Sequence, residues 1–195
     1  MVDMWRKLPR FITLKEVEVM FNISQNHPRD NLILKCFFYL GLRNSELRNL
    51  EKDDVDLINN SIKVVMGKGK KDRHVSIPHH LREELTNWIK HCDKYVFRGR
   101  GDKGLLNDRT LRRIVKKYAI LAGLRKAVEI HPHTLRHSYA TLLQNQGLPL
   151  NAIQRLLGHE NIETTTIYTH LGTKKIEELV QKAFDNAFKE LNDSK

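Results

Sequence analysis

Two arginines stand where helices are predicted to begin. Arg43 lies in residues 41–47 (GLRNSEL), between the end of one helix and the start of the next, and Arg136 follows Pro132 in the first turn of another. Helix N-termini attract anions, and a guanidinium adds two parallel donors that match phosphate oxygens. The pair predicts a clamp for both non-bridging oxygens of one phosphodiester. The alternative for Arg43 is an ordinary solvated arginine, and Glu46 either orients it or forms an exposed ion pair of little energetic value.

Two histidines flank Arg136 on the same predicted helix. His133 and His137 are four residues apart and therefore share a helix face with the arginine. A histidine pair at this spacing can bind zinc, but the glutamate of the His-Glu-x-x-His motif is missing and the arginine would repel a metal ion. His133 is the candidate for proton transfer, because histidine titrates closest to neutral pH, and His137 is expected to cap or support the helix.

Tyr168 is the candidate nucleophile. It lies in a polar, threonine-rich stretch, residues 163–169, which is an unusual setting for a core tyrosine. A phenol with its ordinary pKa of about 10 needs activation before it can attack phosphorus. Two arginines, a lysine and nearby histidines would supply that field. His159 follows a glycine just past a predicted helix end, so a loop can project it, although a lone loop histidine is usually only solvated.

The usual machinery of nucleotide and metal chemistry is missing from the sequence. Residues 67–71 (GKGKK) lack the P-loop pattern, no dinucleotide fingerprint occurs, and no cluster of Asp and Glu suggests a two-metal nuclease. We therefore predict no cofactor and no metal. A nucleic-acid enzyme of this kind must stabilise phosphate charge with its own cations.

The composition favours a polyanionic partner. The chain has 195 residues, a formal charge of +11 and two cysteines without disulfide or zinc-ribbon spacing. No apolar run reaches the roughly 20 residues that span a bilayer, and the N-terminus lacks a signal-peptide pattern. These features predict a cytoplasmic, nucleoid-associated protein without a membrane partner.

The elements that would position these side chains are mostly helices. A capping box at Thr13 and Glu16 begins the first helix, and Gly41, Gly123 and Gly147 are typical helix stops. Two β-prone runs around the cationic tip at 67–72 predict a hairpin. We predict a mainly α fold with a small antiparallel β-sheet (α+β), with helices near 14–21, 30–40, from 44, 79–91, 108–122, 134–146, 149–158, 163–169 and 173–192, and strands near 55–57, 61–66 and 73–77.

These segments together resemble the tyrosine recombinase (phage integrase) family, and its Xer-type members in particular. Three blocks match in order, namely residues 41–47 (GLRNSEL), residues 133–141 (HTLRHSYAT) and residues 157–168 from Leu-Gly-His to Tyr168. A hairpin lysine, Lys68, stands between the first two blocks, where the family places it. The resemblance covers nearly the whole chain and implies the tyrosine recombinase catalytic-domain fold.

The resemblance implies a role for each candidate residue. Arg43, Arg136 and His159 would hold the scissile phosphate, and Glu46 would support Arg43. Lys68, between two glycines, would be the general acid toward the leaving 5′ oxygen, with Lys70 and Lys71 as near competitors. His133 would assist proton transfer at Tyr168, which would form a covalent 3′-phosphotyrosyl intermediate. The implied activity is site-specific recombination of double-stranded DNA by strand cleavage and rejoining, without metal or ATP.

The same resemblance bears on DNA contacts and assembly. Lys70, Lys71 and one helix with Arg109, Arg112, Arg113, Lys116 and Lys117 are candidates for DNA phosphate contacts, the alternative for each being a solvated surface charge. Family members generally carry a further N-terminal core-binding domain. The expectation is a single catalytic domain, residues 1–195, without that domain. Residues 173–195 would form a C-terminal helix that either packs on its own domain or is exchanged between subunits. The protein would be a monomer when free and a tetramer on DNA.

Two other functions remain open at this point. A nicking-closing activity like that of type IB topoisomerases would use the same chemistry. A non-catalytic DNA-binding regulator with this fold belongs to a different class, and the full set of candidate residues argues against it, since a pure binder needs no phenol beside two guanidiniums.

Overall fold

The computed structural model describes residues 11–65, 72–99, 104–158 and 173–193. Eight α-helices and three strands lie within these residues, as predicted for a mainly α fold with a small sheet. The helices are α1 (Leu14–Ser24), α2 (Pro28–Tyr39), α3 (Asn44–Asn49), α4 (His79–Ile89), α5 (Asp108–Leu121), α6 (Pro132–Asn145), α7 (Leu150–Leu157) and α8 (Thr173–Asp193). The strands are β1 (Val55–Asp56), β2 (Ser61–Val64) and β3 (Arg73–Ser76). The helix predicted at 163–169 lies outside the described residues.

The helix boundaries follow local signals. The Thr13 hydroxyl accepts from the backbone N–H of Glu16, whose carboxylate accepts from the backbone N–H of Thr13, so the predicted capping box is present. Helix α1 continues three residues past its predicted end at Phe21. Helix α2 begins two residues before its predicted start, because Pro28 suits the first helical position, where no N–H is needed.

The sheet is an antiparallel meander in the order β1-β2-β3. Val55 pairs with Ile62, and Ile62 pairs with Val75, so that apolar side chains of neighbouring strands meet on one face. The strands are shorter than predicted at 61–66 and 73–77. Arg73, the first residue of β3, lies at the end of the sheet that is near the start of α3.

Helix α2 is the centre of the core. Its residues from Leu32 to Leu34 and from Cys36 to Phe38 are at most 2% exposed, as its all-round apolar sequence predicts. It contacts α1, α4, α5 and α6. The rigid core thereby fixes the turn after α2, where Gly41 and Arg43 lie.

Helix α8 packs against its own domain through its apolar face. Ile176, Val180 and Phe184 are buried, and Leu179 and Phe188 are partly buried. The Phe184 ring lies 5.1 Å from that of Tyr39 and 6.1 Å from that of Tyr139. Exchange of this helix between subunits stays a prediction. Within the described residues, no helix combines the length and the apolar character that a bilayer crossing requires.

Candidate active site

Three chain segments meet at one buried carboxylate, that of Glu46: the start of α3, strand β3 and helix α6. The residue lies in the first turn of α3, and its side chain is only 6% exposed. The backbone N–H of Arg43 donates to Glu46 Oε2 at 2.7 Å, and Arg43 Nη1 donates to Oε1 at 2.8 Å. Glu46 therefore fixes both the backbone and the guanidinium of Arg43. The carboxylate is too buried for the exposed ion pair that was the alternative, and the role of Glu46 in supporting a phosphate-binding Arg43 stays a prediction.

A second arginine holds the same carboxylate from the sheet. Arg73 Nη1 and Nη2 donate to Glu46 Oε1 and Oε2 at 2.7 and 2.9 Å, the bidentate geometry that suits a guanidinium. A third arginine, Arg136, brings Nη1 to 3.7 Å from Glu46 Oε2. One buried negative charge thus stands among three positive charges.

The end of α7 supplies acceptors for the same three arginines. Arg73 Nε donates to the carbonyl of Leu156 at 2.9 Å, Arg136 Nη2 to that of Leu157 at 2.5 Å, and Arg43 Nη2 to that of Gly158 at 2.9 Å. Carbonyls at a helix C-terminus have no partner within the helix and carry the negative end of its dipole. Three consecutive carbonyls therefore accept from three cations.

The turn after α2 supplies one further acceptor. Arg136 Nη1 donates to the carbonyl of Gly41, whose φ of +58° places it in the left-handed region. A Cβ at this position would lie 2.7 Å from the buried Tyr139 ring. Glycine is thus required both by the backbone conformation and by the close approach of the ring.

The electrostatics keep this cluster charged. Burial alone would raise the pKa of Glu46, but hydrogen bonds and charge from Arg73, followed by hydrogen bonds from Arg43, lower it to about 2. Burial, followed by the charge of Arg43, lowers the pKa of Arg136 to about 10. Glu46 and Arg136 are therefore ionised at neutral pH, and three arginines surround the one carboxylate. The cluster has an excess of positive charge that suits a phosphate.

The two candidate histidines occupy different environments on α6. Partial burial of its ring, followed by the charges of His131 and Arg136, lowers the pKa of His133 below its ordinary value. A neutral His133 at pH 7 can accept a proton. His137 is half-buried with its ring 6.4 Å from that of Phe11, which fits a supporting position.

Helix α5 places its basic residues beside this cluster. Asn44 Nδ2 donates to Asp108 Oδ1, which joins the starts of α3 and α5. Arg112 bonds Asp108 through Nε at 2.7 Å, and its charge contributes to lowering the pKa of His133. The side chains predicted to contact DNA phosphates, Arg109, Arg112, Arg113 and Lys116, are all exposed, as is Lys117.

A family model describes this chain. The model of the phage integrase family matches residues 10–175. The chain belongs to that family.

Curated relatives and solved structures agree with this membership. The chain is 41% identical over 186 residues to tyrosine recombinase XerA of Thermococcus kodakarensis, covering 91% of this chain and 64% of the relative. It is 40% identical over 170 residues to a tyrosine recombinase of Pseudothermotoga lettingae, covering 85% of this chain and 58% of the relative. The chain therefore spans about six-tenths of the length of these relatives.

Two solved structures share the fold at more than a quarter sequence identity. A crystal structure of XerA recombinase gives a TM-score of 0.71 at 29% identity, over 90% of this chain and 65% of that one. The XerH site-specific recombinase, solved on its difH substrate in a pre-cleavage complex, gives 0.69 at 28% identity, over 89% of this chain and 54% of that one. The tyrosine recombinase catalytic-domain fold predicted from sequence is confirmed.

The predicted site residues of this integrase-family chain divide into two groups. The described structure brings together Arg43, Glu46 and Arg136, with His133 nearby. Five other candidates lie outside the described residues, namely Lys68, Lys70, Lys71, His159 and Tyr168. The roles of all candidates in both groups stay predictions.

Sequence reasoning missed Arg73. A signal was available, because Arg73 stands two and four residues before Val75 and Ile77 and so shares their face of the extended chain, and both of these residues are buried. An arginine on the apolar side of a strand has to find a buried partner. Its partner, Glu46, is 27 residues away, a separation that no local pattern indicates.

Proposed function

We propose that this chain is the catalytic part of a tyrosine-type site-specific recombinase that cuts and rejoins double-stranded DNA. The observation that carries this proposal is the arginine pair, Arg43 and Arg136, held at one place by Glu46 and by the end of α7. Fixed cations aimed at a phosphate stabilise the charge of its transition state without reorganisation. The names of the relatives favour recombination over simple nicking and closing.

The proposed reaction is a phosphoryl transfer in two steps. The Tyr168 oxygen forms a bond to phosphorus, its proton passes toward His133, and the bond from phosphorus to the 5′ oxygen breaks. Lys68 gives a proton to that oxygen, leaving a 3′-phosphotyrosyl link and a free 5′ hydroxyl. The link keeps the energy of the phosphodiester, so a second 5′ hydroxyl restores the DNA strand by the reverse steps. The two steps therefore proceed without ATP, and the proposed proton transfers do not require a metal ion.

The arginines have enough donors for such a role. A guanidinium carries five N–H groups, and the carbonyls of Gly41 and Leu157 take two of those of Arg136. Arg43 is the more exposed of the two arginines, with 32% of its side chain accessible to solvent against 9% for Arg136. His159 would add a donor to the same phosphate.

The test is covalent trapping. Nicked suicide duplexes with a bridging 5′ sulfur, drawn from a random-sequence pool, are mixed with wild type and with Tyr168→Phe and run on denaturing gels. A shifted protein–DNA band for wild type alone is the expected result. If no band appears, the assay is repeated with a DNA-binding domain fused to the N-terminus, which removes weak DNA binding as the cause. Absence of the covalent band from the fusion protein as well would contradict the proposal.

The bridging sulfur also tests the general acid. A thiolate leaves without a proton, so the sulfur substrate should restore cleavage by Lys68→Ala to near the wild-type rate. Single-turnover rates on oxygen and sulfur substrates make the comparison. Rescue of His133→Ala instead of Lys68→Ala would show that the acid is assigned to the wrong residue.

Assembly and location follow from the proposed activity. We expect a monomer when free and a tetramer on paired DNA sites, located with the nucleoid in the cytoplasm. Light scattering with and without paired-site DNA distinguishes the two states, and a tetramer seen without DNA would contradict this expectation.

A further inference from the structure

Two neighbouring histidines and an aspartate join the start of α4 to the middle of α8. His79 and His80 are the first two residues of α4, and Asp185 lies on α8. One ligand atom of each residue lies within 4.8 Å of the other two. The proposed recombination chemistry uses none of them.

The spacing of one pair already matches that around a small metal ion. His79 Nε2 lies 3.3 Å from Asp185 Oδ1. This distance is longer than the donor–acceptor distance of about 2.7–2.9 Å in a good charge-assisted hydrogen bond. Two ligands at about 2.0–2.1 Å from a tetrahedral zinc ion stand about 3.4 Å apart. The separation of this pair therefore matches that of two ligands on one ion. His80 has a ligand atom within 4.8 Å of both, and its ring stacks on that of His79 with centres 4.1 Å apart, so rotation of the more exposed His79 ring would complete three ligands.

The surroundings orient these ligands in advance. Gln181 Oε1 accepts from the backbone N–H of His79 at 2.9 Å, and Gln181 Nε2 donates to Asp185 Oδ1 at 3.0 Å. The His80 ring stacks on Phe188 with ring centres 4.6 Å apart. Partners of this kind, beyond the ligands themselves, hold metal sites in place.

His80 also has a buried ring nitrogen, Nδ1, without a hydrogen-bond partner among the described residues. This state is uncommon for a buried polar atom. The ring therefore has unused capacity to bind a ligand.

We propose that His79, His80 and Asp185 bind one divalent transition-metal ion, with Zn²⁺ the best match. Two imidazoles and one carboxylate favour zinc and its transition-metal neighbours over Mg²⁺ and Ca²⁺, which prefer oxygen ligands. Solvent fills the remaining position. The ion links the first turn of α4 to α8 and so fastens the C-terminal helix to its own domain. This proposal stands independently of the proposed recombinase activity.

The test compares zinc uptake by matched variants of the full chain with its thiols reduced. His79→Gln and Asp185→Asn each remove one ligand, and both side chains are at least 46% exposed, so the fold is retained. His91→Gln removes another exposed histidine, just past the end of α4, and serves as the control. Isothermal titration with ZnCl₂ should show one equivalent more in wild type and His91→Gln than in the two ligand variants.

Thermal unfolding and histidine NMR give independent readouts. At a hundredfold excess over Kd, zinc should raise the Tm of wild type by about 5 °C or more, and that of the ligand variants by much less. The ring ¹⁵N resonances of His79 and His80 should shift on addition of zinc. Equal zinc uptake by all four proteins, or unshifted resonances at both rings, would overturn the proposal.

Discussion

Glu46 is a buried carboxylate among three arginines. Its side chain is 6% exposed, and the arginines are Arg43, Arg73 and Arg136. A buried ion pair adds little net stability when compared with an apolar replacement, but removal of one partner is costly because it leaves an uncompensated charge. Here the loss of Glu46 would leave three cations close together.

Glu46→Gln should remove a pH-dependent part of the stability. The pKa of Glu46 in the fold is about 2, below its ordinary value of 4.5. A depressed pKa stabilises the fold above the ordinary value, and this contribution is lost as pH falls from about 4.5 to about 2. The difference in unfolding free energy between wild type and Glu46→Gln should be about 3 kcal/mol at pH 7 and shrink toward zero near pH 2.

Urea unfolding at a series of pH values measures that difference. Other carboxylates titrate equally in both proteins, so subtraction isolates Glu46. A gap that stays constant between pH 7 and pH 2 would contradict the low pKa.

Arg73 should act as a positioning residue for the arginine pair. Arg73→Lys keeps the charge but loses the bidentate fork and the bond from Nε to the Leu156 carbonyl. We expect single-turnover cleavage to fall by about 10²-fold, the scale for a small misplacement of reacting groups, with DNA affinity unchanged. The pKa of Glu46, followed by NMR, should rise in the variant.

The two readouts separate the possible roles of Arg73. Cleavage at the wild-type rate with a raised pKa of Glu46 would leave Arg73 as a purely stabilising residue. Lys35→Arg is a matched control, since its partner, Glu84, lies outside the cluster. It should leave both the cleavage rate and the pKa of Glu46 unchanged.

At the scale of elements, local signals in the sequence predicted most of the fold. The capping box of α1, the proline at the start of α2 and the left-handed glycines after α2, α5 and α6 act within a few residues, so a pattern reveals them. The bond from Arg73 to Leu156 spans 83 residues, and that from Arg136 to Gly41 spans 95. Such contacts depend on how elements pack, and no spacing in the sequence encodes them.

Gly41→Ala should be far more damaging than the same change at a similar glycine. Gly41 and Gly123 have φ values of +58° and +65°, but a Cβ at Gly41 meets the Tyr139 ring whereas one at Gly123 meets nothing within 4 Å. Left-handed backbone costs an alanine about 1–2 kcal/mol at either position. Overpacking against the buried ring adds about 1–3 kcal/mol at Gly41 alone.

Denaturant unfolding of both variants checks this difference. Since the Gly41 carbonyl also accepts from Arg136, Gly41→Ala should lower cleavage as well, whereas Gly123→Ala should not. Equal losses of stability in the two variants would show that the ring yields to the extra methyl group.

At the scale of the whole molecule, helix α5 carries five basic residues and one acidic residue, a net +4 out of the chain's +11. Arg109, Arg113 and Lys116 are exposed at helical spacing on a helix whose first turn contacts α3 beside Glu46. Phosphate contacts from such residues set affinity and its dependence on salt, but they do not read sequence.

Replacing these three residues with glutamine should reduce the salt dependence of DNA binding. Each lost phosphate contact lowers the slope of log K against log salt concentration by about 0.9, so the triple variant should lose between two and three units. Fluorescence anisotropy at several salt concentrations measures it. Lys174, Lys182 and Lys189 are equally exposed on α8, and their replacement is the control of equal charge. Identical slopes for the two triple variants would contradict a specific role for α5.

The three arginines of the cluster find acceptors in the main chain of α7, in the carbonyls of Leu156, Leu157 and Gly158. Every amino acid supplies a carbonyl, so these bonds place no demand on residue type along that helix. The outward positions of α7, such as Arg155, are free to diverge among descendants while the reacting geometry is inherited unchanged. For an engineer, the exposed positions of this helix accept substitutions that leave the arginine cluster in place.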